Sequence, residues 1–102
     1  MLLTALRFSH QLLKDVIDEG DHVIDATMGN GNDTRFLAEL VGTTGRVYAF
    51  DVQEQAIKNT YEKLAEYKDR SPLFLAGHET IDETISIDQP IKAAIFNLGY
   101  LP

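Results

Sequence analysis

Apolar positions recur along the chain with two alternating periods. Leu6, Leu12, Leu13, Val16 and Ile17 fall on one stripe at helical spacing and stop at Gly20, which predicts a helix over about residues 5–19. His22 to Ala26 is a short apolar run and reads as a buried strand. Helical spacing returns with Phe36, Leu37, Leu40 and Val41; Asn32, Asp33 or Thr34 stand where a cap is needed, and Gly42 and Gly45 end the helix. Arg46 to Phe50 is a second strand. Gln53, Ala56, Ile57, Thr60, Tyr61 and Leu64 line one face of a third helix running to about Tyr67. After the Ser71-Pro72 break come a third strand, Leu73 to Ala76, a weak short helix, Glu79 to Ser86, and a fourth strand, Ile91 to Asn97. Four strands separated by helices predict a parallel α/β sheet, and right-handed crossovers place the strands in the order 3-2-1-4.

In that order the fourth strand is an apolar edge with nothing beside it, a form that favours association. The expectation is therefore an N-terminal half of a longer protein, with residues 1–102 forming part of a single domain; self-association as a homodimer through the fourth strand stays open. Hydrophobic content of 44% and charged content of 25% are those of an ordinary globular domain. No apolar run approaches the ~20 residues that span a bilayer, and the first residues do not form a secretory leader, so no membrane partner is expected. The absence of cysteine removes disulfides and thiolate zinc sites and suits a cytoplasmic location. No histidine or carboxylate spacing suggests a metal site. The net charge of −7, without a Lys/Arg cluster, argues against nucleic-acid contacts made by this stretch alone.

The chemistry is concentrated in Asp25-Ala26-Thr27-Met28-Gly29-Asn30-Gly31-Asn32-Asp33, which joins the first strand to the second helix. Asp51 ends the second strand, 20 residues after Gly31. This is the layout of a nucleoside-cofactor loop in a Rossmann-like sheet: the glycines let the backbone approach a ligand, and the second acid meets a ribose diol. A dinucleotide site prefers a third glycine, where this chain has Thr34, and Asp33 stands where a diphosphate would lie. S-adenosylmethionine carries a sulfonium and an ammonium and no phosphate, so Asp25 and Asp33 suit it better than NAD.

Four segments together carry a resemblance: residues 6–13 (Leu-Arg-Phe-Ser-His-Gln-Leu-Leu), residues 23–31 around the glycines, Asp51-Val52-Gln53, and Phe96-Asn97-Leu98-Gly99-Tyr100-Leu101-Pro102. In this order they resemble the YtqB group of rRNA methylases, class I S-adenosylmethionine-dependent methyltransferases linked to methylation of the 5-aminomethyl group of the tRNA wobble uridine. The resemblance runs over essentially the whole chain. It implies the seven-stranded methyltransferase sheet, of which strands one to four are present, S-adenosylmethionine as cofactor, and an RNA substrate, with tRNA favoured over rRNA. The family pattern continues with Gly-Gly-Asp after the proline, and this chain stops before it.

The candidate cofactor-binding residues are Asp25, Gly29, Asn30, Gly31, Asn32, Asp33, Asp51, Gln53 and His78. Asp51 is the expected ribose ligand. Asp25 either caps local amides or, as the resemblance implies, acts near the methionine ammonium directly or through the loop. Asn30, Asn32 and Asp33 cap the helix or line the methionine end. Gln53 flanks the adenosine or is a solvated first-turn residue, and His78, after the third strand, is placed to meet the adenine. His22 reads as structural, and His10 as a helix-surface residue or a gate. The last segment is similar to the Asn/Asp-Pro-Pro-Tyr motif of amino-methyltransferases, with Gly99 in place of a proline. This similarity makes Asn97 the residue that orients the acceptor nitrogen and Tyr100 a stacking platform. Alternatives are a small-molecule or protein methyltransferase, which the acidic charge suits, or an inactive cofactor-binding half-domain.

Overall fold

The computed structural model describes residues 2–3, 10–77, 80 and 90–95. In chain order the elements are β1 (Leu2–Leu3), α1 (His10–Val16), β2 (His22–Asp25), α2 (Asn32–Val41), β3 (Arg46–Asp51), α3 (Glu54–Leu64), a 3-10 turn (Ala65–Arg70), β4 (Leu73–Leu75) and β5 (Ile91–Ile95). The strands form one parallel sheet in the order β1-β5-β2-β3-β4. The four strands read from the sequence therefore have the expected 3-2-1-4 order.

One expectation is corrected at the edge. The strand Ile91–Ile95 is not bare on its outer side, because β1 pairs with it, Leu2 opposite Ala94 and Leu3 opposite Ile95. Two residues were too short a run to be read as a strand from periodicity. The predicted helix over 79–86 and the strand end at Phe96 and Asn97 lie outside the described residues.

Period-two alternation sorts the strand side chains between two layers. Val23, Val47, Ala93 and Ile95 face Leu13 and Ile17 of α1, Leu37, Ala38 and Val41 of α2 and Leu64 of α3 in the main core. Ile24, Ala26 and Phe50 point to the opposite face, where Phe50 stacks on Phe74 with ring centroids 4.9 Å apart. Full burial of a side chain such as Leu37 contributes about 2 kcal/mol. Asp25 shares its face with Val23, so the same alternation turns a carboxylate toward α2.

Helix limits differ from the sequence expectation for local reasons. Asp21 accepts the Asp18 N–H at 2.8 Å, and this turn, which contains Gly20 at φ +92°, follows α1, which ends at Val16 rather than near residue 19. Leu12, read as part of the buried stripe, is exposed. The residue before α2 is Gly31, and no side-chain cap bond forms there, so Asn32, Asp33 and Thr34 are first-turn residues and not caps. Ala65, at φ +50°, ends α3 before Tyr67, and Tyr61 on its predicted inner face is exposed. His22 bonds through Nδ1 to the Tyr48 hydroxyl at 3.0 Å, in keeping with its structural reading.

Candidate cofactor site

The loop after β2 is held by both neighbouring strands before it turns. The Ala26 N–H donates to Ile95 O at 2.9 Å on one side, and the Met28 N–H to Phe50 O at 2.9 Å on the other. The chain then bends through Gly29 at φ +55° and Gly31 at φ +89°, where side-chain-bearing residues are strained. The two glycines have different reasons. A Cβ on Gly29 would meet nothing within 4 Å, whereas one on Gly31 would lie 2.7 Å from the Thr60 Cα. Gly29 thus faces open space, and Gly31 lets the loop press against α3.

That open space is a cavity of about 420 Å³ at the carboxyl ends of the strands. Five of the sequence candidates line it: Gly29 and Asn30 from the loop, Asn32 and Asp33 from the first turn of α2, and Gln53 from the entry to α3. Among the described residues lining it, Asp33 carries the only charge. Met28, Ala56 and Asn59 also line it and were not singled out from the sequence. In the sequence Ala56 reads simply as part of the apolar stripe of α3, and its small size near the helix start is the available signal.

Asp25, Gly31 and Asp51 stand behind this wall. Asp51 accepts the Gly29 N–H on Oδ2 at 3.1 Å and the Gln53 N–H on Oδ1 at 3.0 Å. One carboxylate therefore fixes the glycine turn and the entry to α3 together. Asp25 is 1% exposed; its Oδ2 accepts the Thr34 hydroxyl at 2.6 Å and its Oδ1 the Thr27 N–H at 3.3 Å. Burial pushes its carboxyl up from the ordinary 3.8 to about 7; the Thr34 and Thr27 hydrogen bonds pull down, and the charges of Asp33 and Asp51 push further up. Thr34, in the place of a third glycine, and Thr60, whose hydroxyl is 3.4 Å from Gly29 O, support the loop and were missed as such. His78, Asn97 and Tyr100 lie outside the described residues, as do the side chains of residues 1–10, His10 among them. Among the described residues no group of His, Cys, Asp and Glu could hold a metal ion, and no helix is long and apolar enough to cross a membrane.

A parallel 3-2-1-4 sheet with an acid-flanked glycine loop at its carboxyl edge is the Rossmann-like arrangement, and similarity to solved structures makes it the class I S-adenosylmethionine-dependent methyltransferase form. Residues 47–102 match the family described as "Putative rRNA methylase", and the chain belongs to that family. It is 51% identical to the "putative rRNA-methylase" of known structure from Clostridium thermocellum, with a TM-score of 0.84, covering 100% of this chain and 55% of that one. It is 38% identical over 108 residues to the chloroplastic tRNA (mnm5s2U34)-methyltransferase of Arabidopsis thaliana, covering 96% of this chain and 39% of the plant protein. A SAM-dependent O-methyltransferase structure from Thermotoga maritima is 26% identical, with a TM-score of 0.68 over 83% of this chain and 31% of that one. The chain thus spans about half or less of the length of these relatives.

Proposed function

We propose that the protein is an S-adenosylmethionine-dependent RNA methyltransferase, that residues 1–102 are the cofactor-binding part of its single domain, and that its acceptor is the amine of a modified tRNA wobble uridine. The observation that carries the cofactor reading is the donor set of the cavity. Its described lining offers one carboxylate, several amides and no cation, and Gly29 leaves room where a Cβ would project. A cationic nucleoside fits this lining; a diphosphate meets Asp33. The tRNA reading rests on the name of the plant relative, and the family description makes rRNA the alternative.

S-adenosylmethionine supplies an activated methyl group on a positively charged sulfur. The chain's own residues would then bind and align. Asp51, already tied to the Gly29 and Gln53 amides, would offer its remaining lone pairs to the ribose diol of a ligand reaching past the cavity wall. Of the residues lining the cavity, Gly29 and Asn30 would bound the methionine end, Asn32 and Asp33 would complete it, and Gln53 would flank the adenosine. Beyond the described residues, His78 would meet the adenine, Asn97 would orient the acceptor nitrogen and Tyr100 would stack on the base. The acceptor amine must be neutral to attack, and alignment of nucleophile, methyl and sulfur supplies most of the rate. We read the location as cytoplasmic; the plant relative's name assigns that protein to the chloroplast.

Calorimetric titration with S-adenosylhomocysteine, with NAD as control, tests the cofactor. Binding of the first and not of the second is expected, and the reverse result would reject the reading. Methyl transfer from labelled donor to tRNA bearing 5-aminomethyluridine, with rRNA as competitor, tests the acceptor.

A further inference from the structure

Asp25 is the most deeply buried of the three acids at the site, and among the described residues no cation pairs with it. It is 1% exposed, and its described partners are a hydroxyl and a backbone amide, Thr34 Oγ1 and the Thr27 N–H. Among the described residues, the charged groups acting on it are both carboxylates, Asp33 from α2 and Asp51 from β3; β5, paired with it at Ile95, brings the apolar Ala93 and Ile95 to the same core. A buried carboxylate in such surroundings holds its proton until a positive charge arrives. Thr34 suits either state, since its hydroxyl donates to a carboxylate and accepts from a carboxylic acid. Thr27, bonded to Asp25 through its amide, itself lines the cavity, so the carboxyl lies directly behind the wall that a ligand would touch.

We infer that Asp25 selects ligands by charge: a cationic ligand seated against the Thr27–Asn30 loop binds to the ionised form and sends the Asp25 proton to solvent, whereas an uncharged nucleoside leaves it in place. The inference rests on the S-adenosylmethionine reading above. Only the O–H bond of Asp25 breaks, and the buffer takes the proton. Acting through the loop, Asp25 is a positioning residue whose ionisation is the measurable quantity. The raised carboxyl, at about 7, puts the exchange in an accessible range.

The test is calorimetric titration of the protein at about pH 6 in two buffers of different ionisation enthalpy, which counts protons released on binding. S-adenosylmethionine is expected to release nearly one proton and 5′-methylthioadenosine, which has neither sulfonium nor ammonium, none. The affinity ratio of the two ligands should rise about tenfold in favour of the methyl donor from pH 6 to pH 8. Asp25→Asn should abolish both effects while keeping an oxygen for Thr34; if that variant does not fold, the proton count of the unaltered protein decides. Donor binding without proton release, or equal release by both ligands, would overturn the inference and leave the methyltransferase reading standing. Failure of both ligands to bind would remove that reading and this inference with it.

Discussion

Thr34 Oγ1 donates to Asp25 Oδ2 at 2.6 Å, and both side chains are buried. The bond runs from the first turn of α2 to the last residue of β2, the two elements that the glycine loop joins. Closing the loop at its base limits the positions open to Gly29 and Asn30, which face the cavity. Ionisation of Asp25 is therefore linked both to the fold and to the shape of the site.

The first consequence concerns stability and pH. The folded-state carboxyl of Asp25, at about 7, lies above its ordinary 3.8, so between those values the folded protein holds a proton that the unfolded chain has lost. Stability from this group is thus greatest below about pH 4, falls as pH rises, and is lowest above about pH 7, by a total on the order of 4 kcal/mol. Other carboxylates add their own slopes, so the check is the difference between the protein and Asp25→Asn in urea unfolding across this range. Asp25→Asn should gain relative stability as pH rises from about 4 to about 7, and a constant difference would refute the assignment.

Removing the other partner tests the bond itself. Thr34→Val keeps the shape and deletes the hydroxyl, leaving Asp25 with the longer Thr27 bond alone. A loss of about 1–3 kcal/mol is expected, because a buried acceptor loses its shorter bond. The stabilising hydrogen bond also lowers the Asp25 carboxyl, so Thr34→Val should move the pH dependence described above to higher pH.

What the sequence displayed and what it concealed have separate physical causes. Strand order, the glycine loop and Asp51 were legible because periodicity and backbone freedom leave local marks. The sequence leaves Asp25 either capping local amides or acting near the methionine ammonium; its burial depends on the face it shares with Val23 and on Thr34 approaching from α2, which is a tertiary fact. Thr34 is one of three candidate caps in the sequence, because first-turn Thr commonly caps, and here its hydroxyl is drawn to the buried acid instead. Gly31 stands in the sequence as a glycine that cradles a ligand or simply makes the turn, and the close approach of the Thr60 backbone adds a tertiary reason for it that the sequence does not display. Leu2–Leu3 carried no signal, since two residues pair only when a partner edge, here Ala94–Ile95, is already in place.

The two glycines should separate in experiment. Gly31→Ala adds a Cβ 2.7 Å from the Thr60 Cα at φ +89° and should cost about 2–4 kcal/mol in unfolding measurements. Gly29→Ala meets no atom within 4 Å and bears only the strain of φ +55°, about 1–2 kcal/mol. Its methyl enters the cavity, so it should weaken S-adenosylhomocysteine binding out of proportion to its small effect on folding. Equal stabilities would contradict the close approach of Gly31 to α3.

Backbone strain at Ala65 offers a prediction independent of the site. At φ +50° this alanine occupies a conformation that favours glycine, directly after α3 and as the first residue of the 3-10 turn. Ala65→Gly should raise stability by about 1 kcal/mol, read as a higher urea midpoint at unchanged slope, with no change in ligand affinity. A fall in stability would mean that the extra freedom of the unfolded glycine chain outweighs the strain released.

Asp51 joins structure to binding, and the two contributions can be measured apart. Each of its oxygens already accepts one amide, from Gly29 and from Gln53. Asp51→Asn replaces one acceptor by an NH2 group that faces an N–H, so a loss of about 1–3 kcal/mol is expected in unfolding. The remaining lone pairs are those assigned to the ribose diol, and S-adenosylhomocysteine should bind at least about tenfold more weakly, corresponding to about 1.4 kcal/mol. A ligand tests the second effect directly: 2′-deoxy- and 3′-deoxyadenosyl analogues should bind less well than the ribose form to the unaltered protein and nearly equally to Asp51→Asn. If the analogues keep their order in the variant, Asp51 holds the loop without touching the sugar, and the ribose contact belongs elsewhere.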